Sequence, residues 1–130
     1  MITVVGTSEL PNGRLFKFGD KDGKKSEVLL QHVLGVHYDA GKIYIADTYN
    51  NKIKVVDAKS GETQTVAGSG DSGASDQGRG EFDEPSGLSK IGNTLYIADT
   101  NNHLIRTIDL ESKQVGTMAF IGLEPVIEAK

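Results

Sequence analysis

Apolar residues recur along the chain in short runs, broken at close intervals by Gly, Asn and Ser. Within the runs the spacing is two: Ile43 and Ile45 are set against Tyr44 and Ala46, then Ile53 and Val55 against Lys54 and Val56. That period sends alternate side chains to opposite faces of an extended backbone and marks strands. Breaks at Gly41, Asn50-Asn51, Ser60-Gly61, Gly92-Asn93 and Asn101-Asn102 supply turns, because Gly and Asn adopt positive φ at least cost. The pattern predicts strands over Leu34–Tyr38, Lys42–Asp47, Lys52–Asp57 and Glu62–Ala67, then over Gly87–Lys90, Thr94–Asp99, Leu104–Asp109 and Gln114–Ala119. The expected fold class is all-β.

The two sets of strands are copies of one unit. Tyr44-Ile45-Ala46-Asp47-Thr48 returns as Tyr96-Ile97-Ala98-Asp99-Thr100, an offset of 52 residues from Asp47 to Asp99. In the same register Gly35 falls on Gly87, Ile53 on Ile105, Lys54 on Arg106, Asp57 on Asp109 and Thr65 on Thr117. A four-stranded antiparallel unit repeated at about this spacing is the pattern of a propeller blade. The Gly-rich stretch Gly68–Asp83 takes up the surplus length as an inter-blade loop. Near the start, Thr3-Val4-Val5-Gly6 matches Thr65-Val66-Ala67-Gly68, which predicts an extra outer strand whose own blade lies elsewhere. The chain therefore divides into an outer strand with a long connector (1–33), blade one (34–67), an inter-blade loop (68–85), blade two (86–120) and a tail (121–130).

Two blades leave apolar faces open at both ends, and such faces drive association. Head-to-tail contacts between copies close into rings or run on as filaments. Because propellers hold about four to eight blades, two-blade chains would close as dimers, trimers or tetramers. Met1–Gly6 could then complete a neighbouring chain's blade, although Gln114–Ala119 could fill the same slot within its own.

Composition narrows the function classes. With 37% hydrophobic and 25% charged residues the chain is an ordinary globular sequence, and 16 Gly against 3 Pro suits many short strands. A net charge of -4 without a basic run argues against nucleic acid as a partner. No stretch is apolar enough to span a bilayer as a helix and the N-terminus lacks signal-peptide character, so no membrane partner and a cytoplasmic location are expected. The absence of cysteine removes disulfides and thiolate zinc sites.

Candidate chemistry is sparse. Asp47 and Asp99 each close a strand before a turn rich in Thr and Asn, where a carboxylate would lock the corner by accepting backbone N–H donors. A ligand-facing role for these turns is the alternative. The acidic segment from Asp71 to Glu84 offers oxygen ligands, with Asp71 and Asp76 as metal candidates, but fits no calcium loop, and a solvated connector is expected instead. Near the N-terminus an EF-hand register fails because Phe18 and Leu29 fall where oxygen ligands are needed. His37, on a predicted innermost strand, could face a channel and hold a metal, yet its counterpart is Ser89; His32 and His103 lie near connectors. With no nucleophile elbow or phosphate-cradling loop, neither a cofactor nor catalysis is predicted.

At Asp99-Thr100-Asn101-Asn102-His103-Leu104-Ile105 the sequence resembles the NHL repeat, named for the triplet that stands here as Asn102-His103-Leu104. Blade one departs from it with Asn50-Asn51-Lys52. Phe18-Gly19-Asp20, Leu30-Gln31-His32, Leu34-Gly35-Val36 and Asp47-Thr48-Tyr49-Asn50 look most like the last blades of proteins that join a thioredoxin-like domain to a six-bladed NHL propeller. Val33 replaces the proline usual there, which Pro85 keeps. The resemblance implies a six-bladed ring, hence a trimer of this chain. The leading functional reading is a non-enzymatic scaffold; because alternate loops of an up-and-down blade lie on the same side, its connectors and turns should share one protein- or peptide-binding face carrying Asp47, Tyr49, Asn50, Asp99, Asn101, Asn102 and His103. Deleting Asp71–Arg79 should then abolish partner capture and spare the fold. The competing reading is a metal-dependent hydrolase or lyase with its site at the channel near His37; RNA binding is disfavoured by the acidic charge.

Overall fold

The computed structural model describes residues 2–6 and 17–119. The described residues form two antiparallel sheets. Blade one comprises β1 (Gly23–Lys24), β2 (Val33–Asp39), β3 (Lys42–Asp47), β4 (Lys52–Asp57) and β5 (Glu62–Ala67), ordered β1-β5-β4-β3-β2. Blade two comprises β6 (Pro85–Ile91), β7 (Thr94–Asp99), β8 (Leu104–Asp109) and β9 (Val115–Thr117), in sequence order. The main strands sit within a residue or two of their expected places. Apolar alternation sets each register, since a slip of one residue would turn every buried side chain outward.

The turns follow from backbone geometry. Between β2 and β3, Ala40 (φ 49°) and Gly41 (φ 82°) both take positive φ, which matches the twist of a tight hairpin. A single 3₁₀ turn joins β3 to β4 (Thr48–Asn50) and another joins β7 to β8 (Thr100–Asn102), each ended by a left-handed residue, Asn51 or His103. Asp57 and Asp109 cap the opposite turns by accepting the amides of Lys59 and Ser60, and of Glu111 and Ser112.

The blades pack face to face. Tyr44, Ala46 and Ile53 from blade one form a core with Leu95, Ile97, Ile108 and Val115 from blade two. Burying each large aliphatic side chain contributes roughly 1.5–3 kcal/mol before the entropy of ordering it is set against this. The innermost strands meet most closely: a Cβ placed on Gly35 would lie 2.3 Å from the carbonyl oxygen of Ser86. Only glycine allows that approach. At the far end of the same interface Lys90 Nζ pairs with Asp39 at 2.6 Å.

Thr3–Gly6 pairs with neither blade of this chain among the described residues. Residues 2–6 join no ladder among the described residues, and the Gly6 amide donates to the Lys25 carbonyl. Blade one gains an outer strand that the sequence did not predict, β1, whose Gly23 and Lys24 pair with Thr63 and Glu62. The connector folds back on itself, with Lys21 bridged to Leu29, and Val28 within it is buried. Met1, 7–16, Phe120 and the tail 121–130 lie outside the described residues.

Candidate functional site

Both long connectors and both 3₁₀ turns lie on one end of the blades. Each blade ties its connector down with the same device. In blade two, Arg106 is fully buried and donates from Nη1 to Asp99 Oδ2 (2.8 Å) and the Glu81 carbonyl (2.8 Å), and from Nη2 to Asp76 Oδ1 (2.6 Å) and the Ser75 carbonyl (3.0 Å). Its Cζ sits 5.0 Å from the Phe82 ring centroid. Arg106 Nε, buried, finds no hydrogen-bond partner among the described residues. In blade one, Lys54 takes the same place, with Asp20 at 2.8 Å, Asp22 at 3.1 Å and Asp47 at 3.2 Å.

Asp47 and Asp99, both 0% exposed, face inward to these cations. Their other bonds reach the connectors: Gln31 N–H donates to Asp47 Oδ1 (2.7 Å) and Asp83 N–H to Asp99 Oδ1 (2.9 Å). Asn50 Nδ2 links Asp47 to the Gly19 carbonyl, and Asn102 Nδ2 links Asp99 to the Gly73 carbonyl. These four residues therefore fasten connector to blade.

Electrostatics reinforce the knot. Burial alone would raise Asp20 and Asp22, but hydrogen bonds from Lys52 and Lys54, and from Thr65, outweigh it and hold both carboxyls below their ordinary 3.8. Burial would lower Lys54; Asp20, Asp47 and Asp22 together hold it above 10.5. Paired, hydrogen-bonded charges of this kind are the form in which buried ions are tolerated.

The remaining predicted residues divide between surface and frame. Tyr49 is exposed and stacks on His32, centroids 4.2 Å apart. Asn101 is exposed and donates to Glu84 Oε2 at 2.7 Å and Asp83 Oδ1 at 3.3 Å. His103 is exposed and ends its turn at φ 56°. Of the metal candidates, His37 lies on β2 half-buried, Asp71 is exposed, and Asp76 is engaged by Arg106 and by Thr117 Oγ1 (3.0 Å). Among the described residues no three His, Asp or Glu side chains are placed to hold a metal ion. Asp20, Asp22 and Asp47 converge on an ammonium instead.

The loop from Asp71 to Glu84 departs from a solvated connector. Phe82 is buried, Gly68 and Ser69 amides bond to the Arg79 and Gly80 carbonyls, and a Cβ on Gly80 would meet Val115 at 2.7 Å. Deleting Asp71–Arg79 would remove Ser75 and Asp76 from Arg106, so the fold would not be spared. The cation of the knot was not singled out from sequence, although the match of Lys54 to Arg106 was its signal. The carboxylates were harder to find: Asp22 and Asp76 play one role, each receiving the cation and the Thr65 or Thr117 hydroxyl, but stand 54 residues apart rather than 52.

No protein-family profile matches the chain. Human NHL repeat-containing protein 2 is 44% identical over 120 residues, covering 87% of this chain and 16% of the relative. The Bos taurus protein of that name is 47% identical over 108 residues, covering 78% and 15%. Arabidopsis thaliana Protein SUPPRESSOR OF QUENCHING 1, chloroplastic, is 47% identical over 118 residues, covering 85% and 11%. The chain thus spans less than a fifth of the length of these curated relatives. Among solved structures, a Bacteroides thetaiotaomicron protein provisionally described as a phosphatase superposes with a TM-score of 0.61 at 20% identity, covering 80% of this chain and 25% of that one. This is a likeness of fold alone.

Proposed function

Because the chain belongs to the NHL-repeat family of proteins, we propose that it is a non-catalytic piece of a propeller that assembles with copies of itself, three to a six-bladed ring, and captures a protein or peptide on its connector face. The observation that carries this reading is the pair of cation knots. Each holds a connector rigidly against its blade, so the face formed by Tyr49, Asn101, His103 and the two connectors is presented without an ordering cost at binding. Tyr49, exposed and stacked on His32, is a ready anchor, since aromatic residues supply much of the energy at interfaces.

The test is a displayed peptide library selected on the chain, followed by binding to Tyr49→Ala, to Asn101→Ala and to a control altered at the opposite turns, Lys59→Ala. Enriched peptides should lose about tenfold or more on the first two and bind the control unchanged. Peptides that respond only to Lys59→Ala, or no enrichment at all, would refute the connector face as a capture surface.

A further inference from the structure

The interface between the two blades is a template for the faces left open. Blade one meets blade two through Gly35 and Asp39 on one side and Ser86 and Lys90 on the other. Shifting each residue by one repeat maps Gly35 to Gly87 and Asp39 to Ile91, both on the outer face of blade two. The same operation backward maps Ser86 to Leu34 and Lys90 to Tyr38, both on the outer face of blade one. These outer faces carry half of the exposed large apolar residues among those described: Leu34 (63%), Val36 (62%), Tyr38 (64%) and Ile91 (68%).

Two details indicate what covers them. Gly87 is glycine where its own chain does not require it: an added Cβ would meet only Ala98 Cβ at 3.5 Å, and its φ is not left-handed. In the template position, Gly35, that Cβ would strike a backbone carbonyl. Second, the ion pair Asp39–Lys90 has its repeat equivalents in Ile91 and Tyr38, so both members have changed together, from opposite charges to an apolar pair. A face ending in water would favour the charge, and a face meeting a copy of Asp39 or Lys90 would need it.

We infer that the outer face of blade two docks on the outer face of blade one of a second copy of this chain, head to tail, with Ile91 against Tyr38 and Gly87 beneath the Leu34 carbonyl. This rests on the self-association proposed above and assigns its surface. The charged pair inside and the apolar pair between copies also keep the two interfaces from exchanging partners, because either mixed pairing would set a charge against an apolar side chain.

The experiment is light scattering of the full chain across a concentration series, with circular dichroism as a check on fold. Wild type should form a closed multimer. Gly87→Ala and Ile91→Asp should keep the wild-type spectrum and weaken association by roughly tenfold or more. The double variant Ile91→Asp/Tyr38→Lys, which recreates the inner ion pair between copies, should recover it. Multimers unchanged by Gly87→Ala and Ile91→Asp would overturn this surface while leaving self-association standing. A wild-type chain monomeric at every concentration would overturn both, and two dissociated single variants that the double variant fails to rescue would overturn the Ile91–Tyr38 contact.

Discussion

Asp99 and Arg106 show how much stability rests on one side chain. Both are fully buried, so removing the carboxylate leaves a guanidinium short of its buried counter-charge. Asp99→Ala should cost about 3–5 kcal/mol, read as a shift in urea midpoint. Asp76→Ala should cost less, because water reaches that partly exposed group. Acid provides a second measurement on blade one. Asp20 and Asp22 have folded values below 3.8, so their contribution is complete above that value and is lost as pH falls through the folded values. Lys54 has the opposite sign: raised above 10.5, it stabilises below that value and ceases to do so as pH rises through its folded value. Asp20→Asn/Asp22→Asn should therefore flatten the acid limb of stability against pH.

At the scale of elements, the turns and the inner strands make separate predictions. His103 holds φ 56°, a conformation that costs a residue with a Cβ about 1 kcal/mol relative to glycine, so His103→Gly should raise the melting temperature. Gly35→Ala should act the other way, pushing β2 off β6 at a cost of about 1–3 kcal/mol, read as a fall in the urea midpoint. The strands were legible from sequence because two aligned copies of one unit reveal period and turns together. Ile45 and Ile97, or Asp57 and Asp109, identify each other. The knot was legible only in part. Asp47, Asn50, Asp99 and Asn102 stand in register, but their bonds run to connectors of unequal length, where the repeat no longer aligns. The short strand Gly23–Lys24 on the edge of β5 was not legible, because it has no counterpart in the other copy of the unit.

For the molecule as a whole, the connectors are structural members rather than appendages. Removing Asp71–Arg79 should destabilise blade two selectively. Hydrogen exchange should show early loss of protection in β7 and β8 with β3 and β4 retained, whereas a dispensable loop would leave both blades protected alike. The two blades also differ in how they end among the described residues, with β5 covered by a further strand and the three-residue β9 at the edge. Short edges limit unwanted pairing with other chains.

The knots also bear on how such a sequence can grow. Each joins a connector to the blade that follows it, so the self-sufficient unit straddles the visible boundary between repeats. An in-frame tandem duplication one repeat long would carry a cation, its carboxylates and its amide bridge wherever the cut fell, since whatever is lost at one junction is restored at the other. The gene can therefore lengthen from almost any starting codon and still encode blades that fasten themselves.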